Sequence, residues 1–255
     1  MSDVKGRTAG LFVSSTGTEL GKTIAVSGIS AWFKVHTKRS PQVWKPVQSG
    51  VQLGDVNADS YRLKHGGWLT DVSEKEIVSS TFSAPLAPMA AARREQSTIF
   101  YAALLEEGRR RMERQGPLLV EGAGGVAVPF TPNKTMAHLA ADLELPLLIV
   151  AAPLLGTISH TVTAIHYARN CGVQEMKVVI GGMTPQLQEE RLSDVEENAA
   201  IIEELTGVPV LAMMPWLPHP VTYSEVKWQL WREEWVQAME QQQAWTDWLS
   251  QCLGS

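Results

Sequence analysis

The loop Ser15-Thr16-Gly17-Thr18-Glu19-Leu20-Gly21-Lys22-Thr23 carries the residue types that hold a polyphosphate. Glycines let successive backbone N–H groups turn towards an anion, a lysine reaches β- and γ-phosphate oxygens, and a threonine hydroxyl ligates Mg2+. The strict P-loop spacing wants glycine at position 16, where this chain has Thr16. A second set, Val120-Glu121-Gly122-Ala123-Gly124-Gly125, places a carboxylate just ahead of three glycines. A carboxylate there suits Mg2+, and the glycines admit a close backbone approach to a ligand. A third, Trp44-Lys45-Pro46-Val47-Gln48-Ser49-Gly50, offers Lys45 to phosphate or carboxylate oxygens and Ser49 as a hydrogen-bonding hydroxyl. Taken alone it reads as a surface lysine before a turn. Asp59, in Asn57-Ala58-Asp59, fits a helix N-terminus as well as it fits a metal. The six histidines fall in no ligand spacing, and no Ser/His/Asp set follows from their order, which leaves the chemistry centred on phosphate.

These loops need strands and helices to aim them. Apolar runs predict strands at 10–14, 42–47, 118–121, 147–151, 177–180 and 208–212. Helical periodicity predicts helices at 22–38, 57–64, 98–114, 136–144, 159–170 and 195–205, while 81–89, with Pro85 and Pro88, reads as irregular. In the 98–114 helix, Ile99, Ala102, Ala103, Leu105 and Met112 fall near one face. Strands alternating with helices of this length imply right-handed crossovers and a mainly parallel sheet covered on both faces, with ligands beyond the carboxyl ends of the strands.

With 255 residues and 44% hydrophobic content, the chain can bury a large core. Its net charge of -5 and lack of a basic run argue against nucleic acid as a partner. Arg109-Arg110-Arg111, set among glutamates, reads as a solvated helix face. Two distant cysteines exclude a disulfide framework and a cysteine zinc site. The opening MSDVKGRTAG has no apolar segment of signal-peptide length, and the most apolar stretch, 145–156, is too short to cross a membrane. A cytoplasmic protein with no membrane partner is expected.

After residue 220, Trp228, Trp231, Trp235, Met239, Trp245 and Trp248 recur at helical steps, which predicts one amphipathic helix. Residues 221–255 therefore read as an extension on a 1–220 domain, its aromatic face packing on the chain's own core or serving as an oligomer contact.

The segments FVSSTGTELGKT (12–23), KPVQSG (45–50), Asn-x-Asp (57–59), VEGAGG (120–125) and Pro215-Trp216-Leu217, in this order, resemble the dethiobiotin synthetase family. The resemblance covers roughly residues 10–218. It implies a three-layer α/β/α P-loop NTPase-like fold with about seven strands, and a homodimer. It also implies an ATP- and Mg2+-dependent reaction joining CO2 to 7,8-diaminononanoate through a carbamate and a carbamic–phosphoric anhydride. Carried over by position, Lys22, Lys45 and Thr18 would act on the reacting groups, and Thr23, Asp59 and Glu121 would surround Mg2+. Glu19, Leu20, Gly21, Lys22, Thr23 and Ile24 would line the nucleotide loop, joined by Asp59, Glu121, Gly122, Ala123 and Gly124. Gly181, Gly182, Pro215, Trp216 and Leu217 would border the base. Ser49, Lys45 and Gly125 would meet the diamine.

The chain departs from that pattern in three places. Ser15 stands where the family has a loop glycine, Gly181-Gly182 where it often has an adenine-reading asparagine, and the tryptophan-rich segment lies beyond the resemblance. The competing readings are a nucleotide-binding paralogue without ring closure, a switch ATPase of the chromosome-partitioning type, and the ATP-using half of a cobyrinic-acid amide synthase. Ser14-Ser15-Thr16 lacks the second lysine of the partitioning ATPases, and the length leaves no room for the glutaminase domain of the last.

Overall fold

A computed structural model describes residues 9–254. The elements run β1 (Gly10–Ser15), α1 (Lys22–Thr37), β2 (Gln42–Ser49), α2 (Asp59–Gly66), α3 (Glu74–Ile77), β3 (Val78–Phe82), α4 (Pro88–Arg94), α5 (Tyr101–Met112), β4 (Leu118–Gly125), β5 (Pro129–Thr131), β6 (Lys134–Thr135), α6 (Met136–Asp142), β7 (Leu147–Ala151), α7 (Thr157–Asn170), β8 (Met176–Met183), α8 (Pro185–Thr206), β9 (Val210–Pro215), α9 (Glu225–Glu240) and α10 (Gln243–Leu253). Seven strands form one sheet in the order β3-β2-β4-β1-β7-β8-β9, and its pairings are parallel. Chain direction across the sheet turns at the central strand β1, which lies between β4 and β7. The crevice beyond the carboxyl ends of these strands is where such a sheet takes a ligand.

Both faces of the sheet are dry. Phe12, Trp44, Val120 and Ile149 point into one core, shared with α5, α6 and α7. Leu11, Val13, Leu119 and Leu148 point into the other, shared with α1, α2, α9 and α10. A strand buried on both sides reads as an unbroken apolar run. Among the described residues, no helix is long and apolar enough to cross a membrane.

Several expectations need correction. The 81–89 stretch contributes to edge strand β3 and to α4, whose Pro88 sits in the first turn, where a missing N–H costs nothing. In α5 the buried stripe is Leu104, Gly108 and Arg111, while Ala102 and Ala103 are exposed. Gly108 is needed because a Cβ there would stand 2.8 Å from Leu143 and 2.9 Å from the Trp44 ring. Arg111 is buried, paired with Glu107 at 2.7 Å and lying over the Trp44 ring, and so is not a solvated residue. The tryptophan segment forms two helices, because the chain breaks at Gln241 and Gln242 before α10 starts. Trp228, Trp231, Trp235, Trp245 and Trp248 are all buried in the α1-side core.

Helix α8 also begins ten residues ahead of its expected start, capped by the Thr184 hydroxyl, which accepts from the Leu187 N–H. Its first half is polar and exposed, with non-helical geometry at Arg191, which hides the helical period.

Candidate active site

The glycine loop joins β1 to α1 at the centre of the sheet. Glu19 (φ 55°) and Gly21 (φ 88°) both take left-handed backbone, the geometry that turns neighbouring N–H groups to one side. Gly21 has open space where a Cβ would stand, so it is the backbone conformation that selects glycine. Lys22 and Thr23 follow as the first two residues of α1, at the positive end of its dipole.

Lys22 is 7% exposed, and its ammonium donates to Ser15 Oγ at 3.1 Å and to the Gly17 carbonyl at 3.2 Å. Ser15 Oγ in turn donates to the Gly17 carbonyl. Burial pulls the Lys22 pKa down to about 8, with the Lys45 charge acting the same way and Glu121 and Asp59 opposing.

Lys45 and Glu121 come from adjacent strands. Trp44 pairs with Val120 between β2 and β4, so the next residue of each strand lies alongside the other. Lys45 Nζ stands 2.6 Å from Glu121 Oε1 and 2.8 Å from Asp59 Oδ2. Only 2% of Lys45 is exposed, so the surface-lysine reading fails. Burial alone would lower its pKa, but Asp59 and Glu121 outweigh it and hold the ammonium charged. Glu121 is fully buried, and that burial pushes its carboxyl up despite Lys45. Asp59 is the first residue of α2 and would be raised by burial, but Lys45 and Thr23 bring it below its usual range. Its carboxylate therefore faces the lysine and the loop threonine, beyond a purely local role at its own helix end.

Thr23 Oγ1 lies 3.2 Å from Asp59 Oδ1 and 3.0 Å from Glu121 Oε1, while Glu121 Oε2 is buried without a partner. One hydroxyl and two carboxylates give the hard-oxygen donor set of Mg2+, and the orphan oxygen is a further point of attachment. The residues fit such an ion.

Around this centre, Thr18 and Glu19 are exposed at the tip of the loop. Gly124 takes φ 66°, and a Cβ at Gly125 would come within 3.1 Å of the Ser15 carbonyl, so the two glycine segments pack backbone to backbone. A Cβ at Gly122 would press on the Phe12 ring at 3.1 Å, and Ala123 is half-buried, its N–H directed to the Met136 sulfur. Ser49 sits at the end of β2, and its hydroxyl donates to the Leu86 carbonyl at 2.7 Å.

Glu19, Leu20, Gly21, Ile24, Gly181, Gly182 and Pro215 to Leu217 line a cavity of about 300 Å3 beside the charged cluster. The expected site residues thus fall into two neighbouring groups, one charged and one apolar. Sequence reasoning missed that Trp235 and Trp245 line the same cavity. The only signal for them was an aromatic face at helical spacing, which core packing explains equally well.

A family model described as an AAA domain matches residues 9–222. The chain is 35% identical over 218 residues to "ATP-dependent dethiobiotin synthetase BioD" of Bacillus thuringiensis (strain Al Hakam), covering 86% of this chain and 88% of that protein. It is 37% identical over 206 residues to the protein of the same name from Bacillus subtilis subsp. natto, covering 81% and 87%. Among solved structures, a ParA family ATPase from Chlorobium tepidum TLS superposes with a TM-score of 0.51 at 12% identity, covering 95% of this chain and 98% of that one. The MinC:MinD cell division complex of Aquifex aeolicus gives 0.50 at 14% identity, covering 91% and 96%. At such identities the structural likeness is one of fold.

Proposed function

Because the chain belongs to the ATP-dependent dethiobiotin synthetase family, we propose that it closes the cyclic urea of dethiobiotin from 7,8-diaminononanoate, CO2 and ATP, as a step of biotin biosynthesis. One amine adds to CO2 and loses a proton, giving a carbamate. A carbamate oxygen takes the γ-phosphoryl group and ADP leaves. The second amine attacks the carbonyl carbon of that mixed anhydride, the bond to phosphate breaks, and the ring closes with loss of a proton.

The observation that carries this reading is the pair of buried ammonium groups, Lys22 and Lys45, fixed beside a glycine loop and two carboxylates. Phosphoryl transfer to a carbamate needs placed positive charge and aligned reactants, and it needs no covalent protein nucleophile. Lys22 binds the β- and γ-phosphates, exchanging its loop acceptors for phosphate oxygens. Lys45, already charged and held from two sides, steadies the carbamate and the phosphoryl group in flight. Thr18, at the loop tip, meets the reacting oxygens. Backbone groups of Gly122 to Gly125 border nucleotide and diamine, and Ser49 and Gly125 orient the diamine.

Thr23, Asp59 and Glu121 would hold Mg2+, which when bound neutralises charge on the β- and γ-phosphates. Gly181, Gly182 and Pro215 to Leu217 border the base. Since an apolar pocket discriminates weakly between related shapes, GTP and CTP should be used within roughly a hundredfold of ATP. The working form is a cytoplasmic homodimer with the diamine lying across two subunits.

The test is phosphate release from ATP, GTP and CTP with bicarbonate and Mg2+, with and without the diamine, identifying the product by mass. Diamine-dependent release with a cyclic-urea product is expected. Release that ignores the diamine would replace this reading with a switch ATPase.

A further inference from the structure

The matched family region ends at residue 222, yet the apolar cavity beside the glycine loop is finished by side chains from beyond it. Its mouth lies between Leu20 and Gly21 of the loop, Leu154 after β7 and the half-exposed Trp216. Its depth is made by Val150, Val179, Met214, Trp235 and Trp245, the first three from the sheet and the tryptophans from α9 and α10. Trp235 is 3% exposed and Trp245 fully buried, so both are fixed walls.

Few lining side chains form hydrogen bonds. Glu19 is exposed at the loop, and the Thr184 hydroxyl already accepts the Leu187 N–H. The Trp235 nitrogen lies over Gly28. Gly181 and Gly182 keep the space open: a Cβ at 181 would point between Val150, at 3.5 Å, and the Leu20 carbonyl, at 3.8 Å. A planar, mostly apolar group tethered to phosphates in the glycine loop meets this cavity as its nearest enclosed surface.

We propose that Trp235 and Trp245 are base-binding residues for the nucleoside triphosphate, forming the inner wall against which the base is enclosed. The proposal rests on the nucleotide-using reading above, but it concerns the helices that this reading does not need. The base is held by contact and exclusion of water, and the phosphates by the loop. Affinity contributed by the base therefore depends on α9 and α10, while affinity contributed by phosphate does not.

Equilibrium binding to the full chain separates the two, using ATP and inorganic tripolyphosphate, which lacks a base. Trp245→Leu and the milder Trp245→Phe and Trp235→Phe, each checked for folding by circular dichroism, are compared with Gly181→Leu, which fills the cavity. ATP binding should weaken roughly tenfold in Trp245→Leu, less in the phenylalanine variants, and strongly in Gly181→Leu. Tripolyphosphate binding should stay within about twofold throughout. In a Trp216→Phe chain, which silences the half-exposed indole at the mouth, ATP should change the emission of the buried tryptophans and tripolyphosphate should not.

Loss of ATP binding in Gly181→Leu alone, with folded tryptophan variants unchanged and no ATP-specific emission change, would overturn the wall while leaving the base in the cavity. Full binding in Gly181→Leu would put the base elsewhere and overturn the proposal, leaving ring closure to stand on its product. Failure of the unmodified chain to bind ATP at all would remove both.

Discussion

The indole nitrogen of Trp235 lies over Gly28 so closely that a Cβ at position 28 would stand 1.2 Å from it. Helix α9 thus rests directly on the backbone of α1, the helix that begins with the phosphate-loop lysine.

Replacing Gly28 by alanine sets two effects against each other. Alanine is favoured over glycine inside a helix by about 1 kcal/mol. The new methyl must displace a buried indole and its helix, and overpacking of this kind costs about 1–3 kcal/mol or more. At 1.2 Å the clash is too deep for a side-chain adjustment, so the second effect wins. Urea unfolding should show Gly28→Ala less stable than the parent by about 2 kcal/mol, and Gly28→Ala with Trp235→Leu should recover part of that loss.

Lys45→Gln leaves two carboxylates facing each other with one amide between them. Breaking a buried ion pair by removing one partner costs about 3–5 kcal/mol. The chain should stay folded with a lower melting temperature, bind ATP nearly normally, and form no cyclic urea. Near-normal product formation would remove Lys45 from the mechanism.

Ser15→Gly restores the residue that the family pattern carries and removes an acceptor of the Lys22 ammonium. A hydrogen bond to a charged group contributes about 1.5–3 kcal/mol, and Lys22 gives this one up when it takes phosphate oxygens, so the KM for ATP should fall roughly tenfold. Since Lys45 is untouched, kcat should change less. Steady-state kinetics at saturating diamine separate the two parameters, and an unchanged KM would mean that Lys22 does not exchange Ser15 for phosphate.

His219 supplies a pH dependence. It is 8% exposed, packed on the rings of Trp228 and Trp231 at 5.3 and 4.5 Å, and its Nε2 has no partner. Burial, with a smaller contribution from Arg62 and with Asp59 opposing, lowers its pKa from 6.5 to about 3. The folded chain thus holds the neutral ring, while the unfolded chain takes up a proton as pH drops below 6.5. Stability from this group is complete above that pH and is lost as pH falls towards 3, with about 2 kcal/mol gone by pH 5. Urea melts at pH 7 and pH 5 should show that loss, and His219→Leu should flatten it.

Much of the charged site was legible because each residue stands beside a local signal: glycines around Lys22 and Thr23, glycines after Glu121, and a strand end after Lys45. What the sequence did not reveal is that Lys45 is gripped by Asp59 and Glu121, since that contact joins β2, β4 and α2 across long stretches of chain. Edge strand β3 was missed because Ser79, Ser80 and Thr81 break the apolar run, as an edge permits. Arg111 was misjudged because its neighbours are charged, whereas its position is set by the Trp44 ring beneath it. The tryptophans of α9 and α10 announced a buried face, but nothing local could say that part of it borders a cavity.

The packing of α9 and α10 against β1 and α1 also bears on the order in which the molecule assembles. One face of the central strand is closed by helices about 200 residues further along the chain, and contacts so distant in sequence form late because loop closure must come first. Until then the sheet can pair while the Leu11–Val13 side of β1, covered by α1 alone, stays partly wet, a partly folded species prone to association. Tryptophan emission during refolding should therefore reach its native value only in the slowest phase, after most of the circular-dichroism signal has returned.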